Sequence, residues 1–135
     1  MNRIIVGTVF VFGASGAYLL KNMASIREYL DEKYGRKVMD GVGYFGGALQ
    51  LGAVVAVSRG WLANTDPLYH GISLVGSAGL LATAYYHNAL APVLVNLIWM
   101  GMNTIGIVEG VSNMEAVRDL TDASTYVPSG IVPSI

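Results

Sequence analysis

The sequence predicts an all-α, polytopic membrane protein with about four transmembrane helices: a long N-terminal helix followed by a three-helix bundle. Of its 135 residues, 53% are apolar and only 13% are charged, about half of the roughly 25% found in an ordinary soluble domain. A soluble domain of this size needs a charged surface, because so much of it faces water. The charges also lie in patches between long apolar runs. This pattern favours a membrane protein over a very apolar soluble bundle.

The first apolar run covers residues 4–20 and contains no charged side chain. Its length is at the short end for crossing a hydrocarbon layer, and a signal peptide has a similar pattern. We interpret it as a membrane helix because three further apolar segments follow. Residues 21–40 hold nine of the 17 formal charges around an apolar stripe. This predicts an amphipathic, charged extension that breaks at Gly35, so residues 1–40 form one unit. The extension is either a solvated helix at the membrane interface or a docking surface.

The second apolar segment, residues 41–57, is rich in glycine and alanine. Gly43 and Gly47 stand four residues apart, which is typical of a helix that packs closely against another helix. The third segment begins at a clear helix start. Asp66 is placed to cap the first free N–H groups, and Pro67 suits the first helical position because its missing N–H would be unpaired there anyway.

The fourth segment, residues 90–108, follows a short polar and aromatic interruption at residues 85–88. Aromatic residues at such a place are typical of the membrane interface. We therefore expect residues 41–110 to form a three-helix transmembrane bundle. Residues 112–115 read as a capping box, which predicts a separate short helix within residues 111–135. The two prolines of the remaining tail predict an extended segment.

Polar side chains inside the apolar segments form the one candidate site. Asn96 and Asn103 are seven residues apart and share a helical face with Trp99. Amides within a membrane helix point inward, since lipid cannot satisfy them. They are either interhelical contacts, each contributing about 0.6–2 kcal/mol, or the lining of a small polar pocket in a transport path. The full candidate set is Gln50, Ser73, Ser77, Asn96, Trp99 and Asn103.

No pattern predicts catalysis, a metal or a cofactor. His70 and His87 are the two histidines, and they would lie about 25 Å apart along one helix. They therefore cannot bind the same metal ion or haem. The chain has no cysteine, which excludes thiolate chemistry and cysteine-ligated metals. It also has no basic tract, so nucleic acid is not an expected partner.

Residues 41–109 contain four short motifs: Leu49-Gln50, Pro67-Leu68-Tyr69, Tyr69-His70 and Asn96-Leu97-Ile98-Trp99. With these motifs, the segment resembles the three-helix repeat of the PQ-loop superfamily, to which the bacterial half-sized sugar transporters (SemiSWEETs) belong. The same stretch is also similar to a group of small uncharacterised bacterial integral membrane proteins. Both resemblances imply a helical membrane scaffold, and the first implies a transporter that acts as a homodimer. The proline of the family's Pro-Gln pair is Leu49 here.

These observations favour a non-catalytic accessory subunit of a larger membrane protein complex over an enzyme. A respiratory or ATP-synthase-type assembly in the mitochondrial or bacterial inner membrane would suit, although no residue selects it. The expected partners are the lipid bilayer and other subunits, contacted through residues 21–40, the glycine-rich helix faces and a C-terminal tail held in place by a partner. The alternative is a homodimeric half-transporter in which Gln50 and Asn96 line a pocket.

Overall fold

The computed structural model describes residues 21–125 and, before them, residues 7, 13–14 and 16–18. It contains no strand within this described part, so the predicted all-α class is confirmed there. Most of the predicted span at residues 4–20 and the tail after residue 125 lie outside the described residues. Within residues 21–125 the helices are α1 (Met23–Lys33), α2 (Gly35–Ser58), α3 (Pro67–Tyr86) and α4 (Leu90–Thr125).

Helices α1 and α2 are separated at Gly35, as the sequence predicted. Gly35 has a φ of 70°, a left-handed conformation that glycine adopts without steric cost. Helix α2 begins at this residue rather than at residue 41. Arg36, Lys37 and Asp40 therefore belong to the first turns of α2 and directly precede its apolar part.

The connection between α2 and α3 follows local backbone chemistry. Gly60 has a φ of 71°, and the N–H of Trp61 donates to the carbonyl oxygen of Ala56 at 2.8 Å, which closes the end of α2. At the start of α3, the Asp66 side chain accepts a hydrogen bond from the N–H of Leu68 at 2.8 Å. The predicted cap and the proline in the first turn are both confirmed.

Helix α3 lies between α2 and α4 and makes most of the interhelical contacts, while α1 packs against α3 and α2. A small apolar core lies at the turn between α3 and α4. Its buried members are Ala84, Tyr85, Val93 and Leu97, and Met23 and Ile26 of α1 pack against them. Gly16 is also buried, and a Cβ atom at that position would lie 3.2 Å from the Leu97 side chain.

Two helices in the described part of the chain are long and apolar enough to cross a membrane. They are α2, with a mean hydropathy of 1.4, and residues 90–121 of α4, with a mean hydropathy of 1.6. Helix α3 is not one of the two. Both helices direct large apolar side chains outward: Tyr44 is 80% exposed and Leu51 69% exposed on α2, and Ile98 is 65% exposed on α4.

The C-terminal part of α4 differs from the prediction. The separate capped helix expected after residue 111 does not form, because α4 runs unbroken for 36 residues from Leu90 to Thr125. The Ser112 hydroxyl donates to the carbonyl oxygen of Val108 at 2.8 Å, four residues back in the same helix. A serine inside a helix commonly makes this bond. Because the residues before Ser112 are already helical, the capping-box pattern does not start a new helix here.

Candidate functional site

Glycines, rather than large side chains, form the contact between α2 and α3. A Cβ atom at Gly46 would lie 2.6 Å from the carbonyl oxygen of Gly76, and one at Gly79 would lie 2.9 Å from that of Val42. Both distances are shorter than van der Waals contact, so the backbones approach as closely as only glycine permits. The predicted small-residue packing is confirmed here. Of the predicted pair, Gly43 is buried against the Thr83 side chain, whereas Gly47 is only half-buried and Gly46 is the second buried glycine of α2.

The predicted polar residues Gln50, Ser77 and Ser73 meet at this same interface. The Gln50 side-chain amide donates to the Ser77 hydroxyl at 3.1 Å. The Ser77 hydroxyl donates in turn to the carbonyl oxygen of Ser73 at 2.8 Å. Ser73 and Ser77 are fully buried. The amide therefore joins α2 to the backbone of α3 through one hydroxyl.

A second polar contact joins α3 to α4. His70 Nδ1 donates to the side-chain oxygen of Asn103 at 3.1 Å, and the Asn103 amide donates to the carbonyl oxygen of Trp99 at 2.9 Å. The His70 ring fills the space beside Gly106, where a Cβ atom would clash with it. His70 was not among the predicted site residues. Its spacing of three residues from Ser73 did place it near the polar face.

The described hydrogen bonds do not join the six candidate residues into one network. The Asn96 amide donates to the carbonyl oxygen of Pro92 in its own helix at 2.9 Å, and no described bond connects it to Gln50. Ser73 Oγ and Trp99 Nε1 are buried without a hydrogen-bond partner in the described part of the chain. Asn96 and Asn103 are both buried, as expected for amides that point inward.

The chemistry of this interior is that of neutral hydrogen bonding. Its carbonyls and hydroxyls accept, and its amides, hydroxyls and one imidazole donate. None of the six candidates is an ionised group that could transfer a proton in a hydrolytic reaction. Within residues 21–125 and the few described before them, no cluster of three or more His, Asp or Glu side chains is placed to hold a metal ion.

A group of hydrogen bonds that joins the C-terminal end of α3 to α1 and α2 was not predicted. Tyr86 donates to the Asp31 carboxylate of α1, and His87 Nε2 donates to the Asp40 carboxylate of α2 at 2.6 Å. Arg36 lies 3.7 Å from the other oxygen of Asp40. With four spans, residues 21–40 and the turn at residue 87 fall on the same side of the membrane by sequence order alone. Sequence order does not indicate which side chains pair.

Lys33 lies between two exposed tyrosines, Tyr29 within α1 and Tyr34 directly after it. Lys33 Nζ donates to the Tyr29 hydroxyl at 2.9 Å, and it also lies 5.4 Å from the ring centre of Tyr34. The hydrogen bond with Tyr29 raises the pKa of Lys33 above its ordinary value, and the electrostatic and hydrogen-bonding interactions with Tyr34 add to this effect.

These features define a glycine-packed helical bundle with two helices able to span a membrane. Residues 39–114 match the model of an uncharacterised protein family. The match covers more than half of the chain, and the protein therefore belongs to this family. Searches of curated proteins and of solved structures found no match.

Proposed function

We propose that the protein is a non-catalytic, multi-pass structural subunit of a larger membrane protein complex. The observation that carries this proposal is the outward apolar surface of α2 and α4. Only 17% of the apolar window of α2 and 28% of that of α4 are buried, whereas the core helix of a soluble protein is mostly buried. Exposed apolar faces of this size suit lipid or the apolar faces of other subunits.

Helix α3 completes the proposed bundle as a third span. It has 20 residues, which gives a length of about 30 Å, the thickness of a hydrocarbon core. Its interior side chains Ser73 and Ser77 are shielded from lipid by the neighbouring helices. With the apolar run at residues 4–20, this arrangement has four spans, and it suits a mitochondrial or bacterial inner membrane.

A scaffold role is supported by the way the interior is filled. The glycine contact between α2 and α3 brings backbone against backbone, so the two helices pack closely and leave no space between them at this point. The bonds of Gln50 with Ser77 and of His70 with Asn103 fix helix orientation. Because Gly46 and Gly76 are used inside the bundle, we assign partner contacts to residues 21–40 and to α4 rather than to these glycines.

Purification from its native membrane in mild detergent tests this proposal. The tagged protein is isolated, cross-linked and sized, and the co-purifying chains are identified by mass spectrometry. We expect a stoichiometric set of other membrane subunits that persists in alkaline carbonate-washed membranes. Recovery of homodimers alone would refute the subunit role.

A homodimeric half-transporter of the PQ-loop type is the second candidate. The observation that favours it is the pair of buried polar atoms without a partner, Ser73 Oγ and Trp99 Nε1. Such atoms are costly in an apolar interior and would suit a solvated path. Reconstituted vesicles test this alternative: if Gln50→Leu and Asn96→Leu leave every sugar or small-solute flux unchanged, transport is excluded.

A further inference from the structure

The C-terminal part of α4 extends past the bundle beside a groove. At Gly110 the helix still packs on α3, where a Cβ atom would lie 2.7 Å from the Pro67 ring. Residues 111–125 continue the helix for about 22 Å more, and every residue from 111 to 121 is exposed. We call residues 111–125 the α4 extension. A groove of about 500 Å³ lies between this extension and the loop that precedes α3.

The groove is largely apolar, and its charges balance. Of the described residues that line it, Asp66 and Arg118 form the charged pair. Met114 and Val117 line it from α4 and are 64% and 63% exposed. Covering these two side chains removes apolar surface from water, which is favourable. Because the two charges cancel, the groove suits an apolar segment that carries no charge of its own.

Residues 126–135, the tail that follows α4, have this chemistry. The tail contains no Asp, Glu, Lys or Arg. Its two prolines restrict the free segment, which lowers the entropy lost when the segment is ordered on a surface. The large apolar and aromatic residues of the tail are Tyr126, Val127, Ile131, Val132 and Ile135.

The sequence of the tail predicts a reversal of the chain. Residues 127–130 read Val-Pro-Ser-Gly, and proline at the second position with glycine at the fourth favours a type I β-turn. Beyond this turn, Ile131 and Ile135 share one side of an extended segment, because alternate side chains point the same way. The reversal directs residues 131–135 back along the α4 extension.

The length of the tail matches the distance to the groove. Helix α4 ends at Thr125, about 12 Å along the helix axis from Val117. Thr125 follows Met114 by about three helical turns and Arg118 by about two, so the chain leaves α4 on the side of the groove. Residues 131–135 span about 16 Å when extended. After the turn, Ile135 therefore reaches the level of Val117.

The direct connection to α4 favours the tail over other occupants. A segment joined to the helix that it contacts is present at a high effective concentration, so even a weak contact is populated. A second copy or another subunit has no charge match to guide it, because the charges of the groove cancel. The sequence led us to expect that a partner holds the tail, whereas the groove offers a site within the same chain.

We propose that residues 126–135 fold back on the α4 extension of their own chain, with Ile135 seated in the groove against Val117. The tail then covers the apolar side chains of Met114 and Val117. It leaves the outward apolar face of α4 within the span, where Ile98 is 65% exposed, free for lipid or partners. The contact does not depend on the proposed function, and its failure would leave the subunit role standing.

Disulfide trapping tests this contact in the full-length protein, whose sequence contains no cysteine. One variant combines Val117→Cys with Ile135→Cys, and the control combines Asp119→Cys with Ile135→Cys. Asp119 is nearly as far from the end of α4 as Val117, but two residues of helix rotation, about 200°, turn it to the opposite face.

In reconstituted vesicles under mild oxidation, the Val117 pair should form an intramolecular disulfide about tenfold faster than the control, because the bond requires Cα atoms within about 7 Å. A tail that is not docked would reach both faces of the helix alike. Equal rates, or no disulfide in either variant, would overturn the proposal.

An added charge separates docking from mere proximity. Ile131→Asp should lower the trapping rate of the Val117 pair about tenfold, because the proposal places this side chain on an apolar surface where a carboxylate is unfavourable. Ser134→Asp adds the same charge to the other side of the extended tail and should leave the rate within about twofold. Equal effects of the two substitutions would contradict the docked arrangement.

Two further measurements detect any other occupant. Proteins with Val117→Cys alone and Ile135→Cys alone, mixed in one vesicle, should form no disulfide with each other, and a covalent dimer would show that the tail of a second copy fills the groove. In the native membrane, Val117→Cys should be shielded from a membrane-impermeant maleimide and become reactive when Ile131→Asp is added. Shielding that persists would show that another protein covers the groove. Either result would overturn the proposal, as would a thiol that is never shielded.

Discussion

Replacing Gly46 with alanine tests the backbone contact between α2 and α3. The added Cβ would lie 2.6 Å from the Gly76 carbonyl oxygen, 3.0 Å from the Leu80 nitrogen and 3.1 Å from the Gly79 Cα. Because all three are backbone atoms, no side-chain rotation relieves the clash and the helices must separate. Overpacking of this kind costs about 1–3 kcal/mol. Weakening the nearby Gln50 bond adds about 0.6–1.7 kcal/mol, so we expect a total loss of about 2–5 kcal/mol.

The free energy of unfolding in mixed micelles measures this loss, with sodium dodecyl sulfate as denaturant and circular dichroism as the signal. Gly52→Ala is the matched control, because Gly52 lies on the same helix with no heavy atom within 4 Å of a Cβ. In an exposed helix, alanine is more stable than glycine by about 0.5–1 kcal/mol. We therefore expect the control to be neutral or stabilised. Equal stability of the two variants would refute the proposed close contact.

Three smaller predictions concern hydrogen bonds. In a double-mutant cycle of Gln50→Leu and Ser77→Ala, we expect a coupling of about 0.6–1.7 kcal/mol in the unfolding free energy, and a coupling near zero would contradict the bond. Asp66→Ala should cost about 1 kcal/mol through loss of the helix cap, measured by the same denaturation, with Asp66→Asn retaining most of the stability. Asp31→Asn, which weakens the bond to Tyr86, should increase hydrogen exchange of α1 in mass spectrometry while exchange in α3 stays unchanged.

Helix ends were predictable because their chemistry is local. Gly35 and Gly60 take left-handed conformations, and Asp66 bonds to a backbone N–H only two residues away. Each signal lies within the residues that it organises. The prediction of a helix start at Ser112 was wrong, because the preceding turn is already helical and the serine hydroxyl bonds back to the carbonyl oxygen of Val108.

The polar side chains show where local patterns end. Spacings of three and four residues place His70, Ser73 and Ser77 on one face of a helix, yet His70 bonds to α4 and Ser77 to α2. A helix that lies between two others can direct the polar side chains of one face to both neighbours. The periodicity of the sequence shows which side chains share a face, but it does not show where each neighbouring helix lies.

By itself the sequence determined the helical class, the break at Gly35, the start of α3 and the inward position of the amides. These follow from apolar runs, backbone conformation and the cost of burying unsatisfied polar groups. Only the tertiary structure decided that Gly46 meets Gly76, that Tyr86 bonds to Asp31 and that α4 continues past the bundle. The Tyr86 and Asp31 pair is 55 residues apart in sequence. Such contacts depend on the rotation and register of whole helices, which no short pattern specifies.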